Sequence, residues 1–218
     1  MEYIVPYKLT EVNRLHSLVE HRSKFNLDFC ELNVFETRQQ ATDFNLKFDG
    51  FTITSMLRGK KIMHLEGFED FEYVPGETVL APAETLMRID FPEAEMQRPT
   101  QCTALVLDTH YLNQQLERIN STGSINGKEW KINPKELIIK NNKALASTST
   151  RILEVLTSND PFKEYQADLM LRELVLTTLK VQNLNLLQKD YHSNGNRSPF
   201  EAVLTFITNH ITSDIRVD

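Results

Sequence analysis

The chain has 218 residues, of which 40% are hydrophobic and 25% charged, values typical of a soluble globular protein with one medium domain and an appendage. Its formal net charge is −6. A DNA-binding protein needs clustered Lys and Arg to neutralise the phosphates, so this acidic chain by itself is not expected to bind DNA. The densest basic run, Arg58–Lys61, is followed closely by acidic residues and is interpreted as a solvated strand end.

The chain shows no sign of membrane insertion or export. No apolar run approaches the roughly 18 residues of a membrane span. The N-terminus has neither a basic leader nor an apolar signal core. Two cysteines, Cys30 and Cys102, are too few and too far apart in sequence for a disulfide framework or a zinc site. These features predict a cytoplasmic protein that does not associate with membranes.

Patterns typical of enzymes are sparse in this sequence. Of six histidines only His64 falls on a predicted strand, and no His-x-His pair occurs. Neither cysteine has the context of a nucleophile, no Gly-x-Ser-x-Gly occurs, and none of the seven glycines form a phosphate-binding loop. We therefore predict no catalytic residue, no bound metal and no cofactor, and the sequence favours a binding module over an enzyme.

The first elements in chain order are a helix and then many strands. Residues 9–24 place apolar side chains at helical spacing, which predicts an amphipathic helix within an N-terminal arm, 1–24. From about 25 to 108 the period changes to two, with turn residues every 8–12 positions, as in a β-sandwich or barrel. Asp49-Gly50 between two such runs predicts a hairpin turn. The predicted strands are FCELNVFE, DFNLKF, FTITSML, KKIMHLE, FEYV, ETVLA, TLMRIDF and TALVLD.

The helical period returns from about residue 110. A short helix over 109–120 is followed by a polar loop, 120–133, and by helices over 141–157 and 162–189. Residues 190–197 are predicted to be a polar linker. A final helix begins at Ser198-Pro199-Phe200-Glu201, which combines an N-cap, a proline in the first turn and a capping-box glutamate, and runs to about Ile211.

The helix over 162–189 carries apolar residues on two sides. A thin leucine stripe bordered by charges, as in a coiled-coil seam, consists of Leu169, Leu176 and Leu187. We expect this stripe to form a dimer seam, the alternative being contact with the helix over 141–157. The opposite, wider arc is expected to pack on the barrel and on a neighbouring helix, and consists of Ala167, Met170, Leu171, Leu174, Val175, Leu179, Val181, Leu184 and Leu186.

Two of the predicted strands alternate polar and apolar residues in a way that suggests a ligand site. If the second face of each strand lines a barrel interior, five side chains could orient a small polar ligand: Thr54, Met56, Arg58, Arg88 and Asp90. Arg88 and Asp90 could instead form an ordinary cross-strand surface pair. The phenylalanines are expected to be core residues and not a ligand cage: Phe29, Phe35, Phe44, Phe48, Phe51, Phe71 and Phe91.

Residues 59–108 resemble the N-terminal sensor domain of AraC-type transcription regulators, a cupin-like β-barrel. The motifs that carry the resemblance are Gly59-x-Lys61, Tyr73-x-Pro75-Gly76-Glu77, Leu80-Ala81-Pro82, Ile89-Asp90-Phe91-Pro92 and Pro99-Thr100-Gln101-Cys102. Gly76-x5-Pro82 fits the second cupin motif, but that motif's metal-binding histidine is absent from Leu86–Phe91. The resemblance thus implies a metal-free sensor.

A second resemblance lies near the other end. Residues 198–218 are similar to the first helix of that family's DNA-binding domain, and the chain ends before any recognition helix, so a fragment of a longer regulator is expected. The resemblance implies an α+β fold: a cupin-like barrel or jelly roll over 25–109, a helical dimerisation region over 110–190 and the start of a helix-turn-helix domain over 198–218.

The implied function is that of an effector-sensing and dimerising module. A small effector of unknown identity would bind the barrel and change how paired DNA-binding domains are held, with DNA contacted only through the helix-turn-helix region. A homodimer is expected because two-fold proteins bind spaced half-sites. Two alternatives remain: a metal-dependent cupin-type enzyme with a helical extension, and a ligand-free dimeric interaction domain.

Overall fold

The computed structural model describes residues 20–123 and 129–193, and for 184–193 the backbone only. Within these described residues, ten strands form two antiparallel sheets, and three helices follow or interrupt them. The six-stranded sheet has the order β1-β2-β9-β4-β7-β10, and the four-stranded sheet has the order β3-β8-β5-β6. The strands are β1 (Glu20–Leu27), β2 (Cys30–Thr37), β3 (Ala41–Leu46), β4 (Phe51–Arg58), β5 (Lys61–Leu65), β6 (Phe71–Tyr73), β7 (Glu77–Ala81), β8 (Met87–Phe91), β9 (Thr100–Leu107) and β10 (Ile138–Lys140).

The two sheets face each other across a shared interior. Thr54 of the six-stranded sheet contacts Tyr73 of the four-stranded sheet, and Cys102 contacts Lys61 in the same way. Alternation selects the inward side chains: Lys61, Met63 and Leu65 of β5 are buried, and the residues between them are only partly so. Phe35, Phe48, Phe51 and Phe91 are buried, and the other three predicted core phenylalanines pack against the core, which confirms that prediction.

The helices are α1 (Thr109–Thr122), α2 (Lys143–Leu156) and α3 (Lys163–Ser193). The carboxylate of Asp108 caps α1 by accepting from the Tyr111 N–H at 2.8 Å, and the Asn142 amide oxygen caps α2 by accepting from the Leu145 N–H at 2.8 Å. Side chains of α2 and α3 pack on the outer face of the six-stranded sheet, and only about 20 Å³ of space remains among them, lined by Ile53, Leu105, Ile152, Leu153 and Leu174.

The apolar arc predicted for the long helix faces this sheet and α2. Six of its nine side chains are buried: Ala167, Leu171, Leu174, Val175, Leu179 and Val181. Met170 is half-buried, and the side chains of Leu184 and Leu186 lie outside the described residues. Barrel strands followed by helices confirm the predicted α+β class, and eight of the ten described strands match the eight predicted from the sequence.

Several predicted boundaries are wrong. Residues 20–24, expected to end a helix, belong to β1, where His21, Ser23 and Phe25 alternate with charged residues. Residues 138–140, inside the region expected to be helical, form β10 on the edge of β7. Residues 190–193 continue α3 and are not linker, and 120–122 end α1 and are not loop. The helices predicted over 9–19 and 198–211 lie outside the described residues.

The predicted hairpin at Asp49-Gly50 is also wrong. β3 pairs with β8 and β4 pairs with β7 and β9, so the turn carries the chain from one sheet to the other. Gly50 is needed there because a Cβ would lie 2.5 Å from the Leu107 carbonyl oxygen. Alternating runs joined by Asp-Gly do not distinguish a hairpin from a crossing, because both need a tight turn.

Candidate binding site between the sheets

The five predicted ligand-binding residues do not come together. Thr54 and Met56 are buried and face the interior, as predicted for their strand. Arg58, at the exposed end of β4, lines a surface cleft of about 610 Å³ together with Gln40 and Arg98. Arg88 and Asp90 lie on the outer face of β8, because the alternate residues of that strand fill the interior. An inward site containing all five residues is therefore wrong for Arg88 and Asp90.

Arg88 and Asp90 belong to a surface network on the four-stranded sheet. Each pairs with a neighbouring residue and not with the other: an Arg88 Nη1 lies 3.6 Å from an Asp43 carboxylate oxygen. Asp90 accepts from the Asp43 N–H at 2.8 Å and lies 3.1 Å from His64 Nε2. The other ring nitrogen of His64 is 2.8 Å from Asp70. The alternative interpretation, a surface pair of Arg88 with Asp90, is therefore correct about their position at the surface. It is wrong about their partners, which are Asp43 for Arg88 and His64 for Asp90.

The two carboxylates around His64 set its protonation. The hydrogen bonds to Asp70 and Asp90 raise the pKa of His64 above its ordinary value. The backbone hydrogen bond from Asp43 and the contact with His64 lower the pKa of Asp90. Both ring nitrogens face an acceptor, so the geometry favours the doubly protonated imidazolium.

The interior contains a buried charge that the sequence reading placed in solvent. Lys61 is 2% exposed, which corrects the interpretation of the basic run as a solvated strand end. Its ammonium donates to Cys102 Sγ at 3.0 Å and lies 3.5 Å from Glu20 Oε1. It also lies over two aromatic rings, 4.9 Å from the centroid of Phe91 and 5.9 Å from that of Phe35.

Burial and partners act in opposite directions on this cluster. Burial acts to lower the pKa of Lys61, but the Cys102 sulfur and Glu20 together outweigh it and leave the pKa raised. Burial raises the pKa of Cys102 despite the nearby ammonium, so Cys102 is a thiol at neutral pH. The carboxylate that faces Lys61 in this cluster is that of Glu20, whose side chain is 2% exposed.

The Glu20 carboxylate is only partly satisfied. Its Oε1 atom accepts from the Thr37 hydroxyl at 3.1 Å and faces Lys61, but its buried Oε2 atom has no hydrogen-bond partner in the structure. The buried hydroxyl of Thr100, on the inner face of β9, also has no partner. Buried polar atoms of this kind are normally satisfied by protein, ordered water or a ligand.

A second cation lies near the edge of the same interior. Arg22 projects from β1 over the rings of Phe35 and Phe48, with its guanidinium carbon 5.6 and 5.3 Å from their centroids. It donates to the Asn33 amide oxygen at 2.6 Å and to Glu31 at 2.7 Å. Its side chain is 32% exposed, so the guanidinium lies partly in solvent. Phe35 therefore lies close to two cations, the partly exposed Arg22 and the buried Lys61.

A further polar contact joins the two sheets across the interior. The Tyr73 hydroxyl lies 2.9 Å from the Thr54 hydroxyl, which also donates to the Val79 carbonyl at 3.2 Å. Burial raises the pKa of Tyr73 well above its ordinary value, so the phenol is neutral. The interior therefore offers neutral hydroxyls, two cations, one incompletely satisfied carboxylate and aromatic faces.

Most of these residues were missed from the sequence, although one signal was present. In KIMHL the alternation places Lys61 on the same face as Met63 and Leu65, so the period that identified the strand also predicts a buried lysine. Glu20 and Arg22 were missed because their segment was read as a helix. Among residues 20–123 and 129–193, no group of three or more His, Cys, Asp or Glu side chains could hold a metal ion.

Comparison with known proteins places this chain in a family. The family model described as the AraC-type transcriptional regulator N-terminus matches residues 29–185, more than half of the chain. The chain belongs to this family. No curated protein sequence matches it. In the described part of the chain, no helix is long and apolar enough to cross a membrane.

The solved structures that match this chain include two described as cupins. A cupin superfamily protein from Desulfitobacterium hafniense is 13% identical with a TM-score of 0.34, covering 40% of this chain and 76% of its own. An RmlC-like cupin from Methanocaldococcus jannaschii is 13% identical with a TM-score of 0.34, covering 42% and 84%. KdgF from Halomonas is 16% identical with a TM-score of 0.35, covering 41% and 80%.

Proposed function

We propose that this chain is the effector-sensing and dimerising part of an AraC-type transcription regulator, and that the effector binds between the two sheets. The observation that carries the proposal is the buried Lys61–Glu20 pair with an unpartnered Glu20 oxygen. Apolar residues at the positions of a buried ion pair usually give a folded state that is equally stable or more stable, so the pair is not needed for stability. The presence of this ion pair is explained if a ligand uses it.

The chemistry of the interior defines the effector. A hydroxyl or amine of the ligand would donate to Glu20 Oε2, and a carboxylate or carbonyl would accept from Lys61 or Arg22. The rings of Phe35 and Phe91 provide flat apolar faces beside both cations. We therefore propose a small polar molecule that carries both a donor and an acceptor, such as a hydroxylated carboxylic acid or a monosaccharide.

Binding would act through a population shift. A ligand that binds one arrangement of the sheets better than another favours that arrangement, and α2 and α3 pack directly on the outer face of the six-stranded sheet. Changes between the sheets can thus reach the helices. The family model describes the N-terminus of such regulators, so we propose that DNA is contacted by a C-terminal region and not by the barrel.

The proposal is tested by thermal shift with a panel of hydroxylated carboxylic acids and monosaccharides. At least one compound is expected to raise the melting temperature of the wild-type chain, because a ligand of the folded state stabilises it by mass action. Lys61→Met should abolish the shift, and Arg88→Ala, on the outer face of the same barrel, should preserve it. A compound that stabilises Lys61→Met as strongly as the wild type would place the binding site elsewhere.

We also propose that α3 supplies the dimer seam. Leu169 is 49% exposed, so α2 does not cover it, and Leu176 is half-buried, while the side chain of Leu187 lies outside the described residues. Leu176→Glu is expected to weaken self-association in sedimentation velocity while the barrel retains its melting transition, because a charge is inserted into an apolar contact. Unchanged sedimentation of that variant would remove the seam.

A further inference from the structure

A lysine and a cysteine from opposite sheets meet in the interior. Lys61 lies on β5 of the four-stranded sheet and Cys102 on β9 of the six-stranded sheet, and the Lys61 Nζ atom is 3.0 Å from Cys102 Sγ. The two residues are 2% and 4% exposed, so the packing around them holds them at this contact. A nitrogen and a sulfur atom at this distance need only a small movement to form a covalent bond, which would join the two sheets.

Two buried polar atoms near this pair have no hydrogen-bond partner within the described part of the chain: Glu20 Oε2 and the Thr100 hydroxyl. The other carboxylate oxygen of Glu20 is 3.5 Å from Lys61 Nζ, and Thr100 shares the inner face of β9 with Cys102, because alternate residues of a strand point the same way. Such atoms are normally satisfied by water or by a small polar ligand. Hydrogen peroxide is only slightly larger than water and both donates and accepts hydrogen bonds, so these atoms offer it partners beside the thiol.

We infer that Lys61 and Cys102 form a modification site, at which oxidation by peroxide links the two side chains through a sulfur–nitrogen bond, a sulfenamide. In the first step the Cys102 sulfur bonds to one peroxide oxygen while the O–O bond breaks. Sulfur is oxidised to a sulfenic acid, peroxide is reduced, and the thiol proton leaves in a molecule of water. In the second step the Lys61 nitrogen bonds to this sulfur and the S–O bond breaks. The departing hydroxide takes a proton from the nitrogen and leaves as a second water.

Glu20 has a defined part in the second step. The Lys61 ammonium must lose a proton before its nitrogen can bond to sulfur, and the Glu20 carboxylate, which faces it, accepts this proton. The reaction thus converts a buried ammonium and a buried carboxylate into a neutral sulfenamide and a neutral carboxylic acid. Since buried charges are costly even when they are paired, the interior favours the linked, uncharged state.

The second cysteine of the chain is an internal comparison. Cys30 is also buried, and within the described residues no lysine donates to its sulfur, so its oxidation ends at the oxygen acids of sulfur. In the ladder between β2 and β9, Cys102 lies opposite Phe35 and Cys30 lies opposite Leu107, which separates the two thiols too far along the strands for a disulfide. Thiols react with peroxide more slowly than thiolates, so we expect the link to form during sustained exposure.

Mass spectrometry of the intact chain under non-reducing conditions tests the link. After treatment with hydrogen peroxide, the wild type should lose the mass of two hydrogen atoms, and a thiol reductant should restore the original mass. Proteolytic fragments should show the segment that contains Lys61 joined to the segment that contains Cys102. Cys102→Ser and Lys61→Met should not form the link, whereas the matched controls Cys30→Ser and Lys60→Met should form it as the wild type does.

Three results would overturn the inference. If Cys102 gains one or more oxygen atoms while Lys61 stays free, the thiol is oxidised in the ordinary way and no link forms. If the two residues are joined but the product retains an oxygen atom, the bond is not a sulfenamide. If Cys102 stays unmodified under an exposure to peroxide that fully oxidises added glutathione, the contact is closed to the oxidant.

The link also regulates the proposed effector site, because it removes the Lys61 ammonium and the Glu20 carboxylate. This part of the inference rests on the proposed function. The linked chain should melt at a higher temperature than the reduced chain, since a link between residues 41 positions apart restricts the unfolded chain. It should show no thermal shift with the panel compound that stabilises the reduced wild type, until a reductant restores the shift.

The outcomes for the link and for the effector can be told apart. An equal shift in the linked and the reduced chain overturns the regulation. If no compound of the panel stabilises even the reduced chain, the proposed effector site fails, and the mass of the oxidised chain still decides whether the link forms.

Discussion

The period of β5 places Lys61 in the interior, where its ammonium faces the carboxylate of Glu20. Replacing only one member of a buried ion pair leaves the other charge uncompensated, which typically costs about 3–5 kcal/mol. Lys61→Met keeps the apolar stem and removes the ammonium, so we expect a loss of unfolding free energy of that order, measured by urea denaturation. Combining it with Glu20→Gln should restore most of the loss.

The neighbouring residue is the control for Lys61. Lys60 pairs with Glu72 and Glu93 at the surface, and solvated pairs of this type contribute little. Lys60→Met should leave the denaturation midpoint almost unchanged. Equal midpoints for the Lys60 and Lys61 variants would show that the interior pair has no special energetic role.

His64 predicts a pH dependence of stability with a definite sign. Its pKa is raised in the folded state, so its interactions contribute fully below the unfolded pKa of about 6.5 and are lost as the pH rises through the folded pKa. The melting temperature of the wild type should therefore fall relative to that of His64→Gln as the pH is raised from about 6.5 into the alkaline range. A constant difference between the two proteins across this range would contradict the assignment.

At the scale of elements, the strands were predictable and their pairing was not. Period-two patterning is local, and it located eight strands because each has one face in the interior. Pairing is decided by contacts far along the chain, which is why Asp49-Gly50 was mistaken for a hairpin and β10 was overlooked inside a helical region. The same limit applies to the site: Thr54 and Met56 were found on a strand whose inner face was predictable, whereas the partner of Lys61 lies in β1, a segment misread as helix.

The turn at Gly50, where the chain crosses from one sheet to the other, can be tested by substitution. A Cβ there would also lie 2.9 Å from Val106 Cγ1, so Gly50→Ala must displace β9 or the turn. We expect a loss of about 1–3 kcal/mol in unfolding free energy, the usual cost of overpacking, measured by chemical denaturation. Gly123→Ala is the control, because in the described part of the chain no atom beyond its chain neighbours lies within 4 Å of the added Cβ. A loss equal to that of the control would mean that the turn can move freely.

At the scale of the whole molecule, the chain has one tryptophan, Trp130, which lines a groove of about 470 Å³ beside Leu176 of the proposed α3 seam. If dimerisation through that seam covers the groove, dilution will return Trp130 to water and shift its emission to longer wavelength over the range in which the dimer dissociates. Leu176→Glu should show the shifted emission at every concentration. Emission independent of concentration, in a chain that sedimentation shows to dissociate, would exclude the groove from the interface.

The edge strand β10 has a consequence for the order in which the molecule assembles. β10 pairs with β7, but α1 lies between these two strands in the sequence. The segment that precedes β10 is held by Gln182 of α3, which donates to the carbonyls of Asn133 and Glu136 at 3.3 and 2.7 Å. During synthesis, every earlier strand leaves the ribosome before this one, so the β7 edge stays open while α1 is made. Nascent chains halted after α1 should therefore expose an unpaired strand edge and aggregate more readily than chains halted after α3.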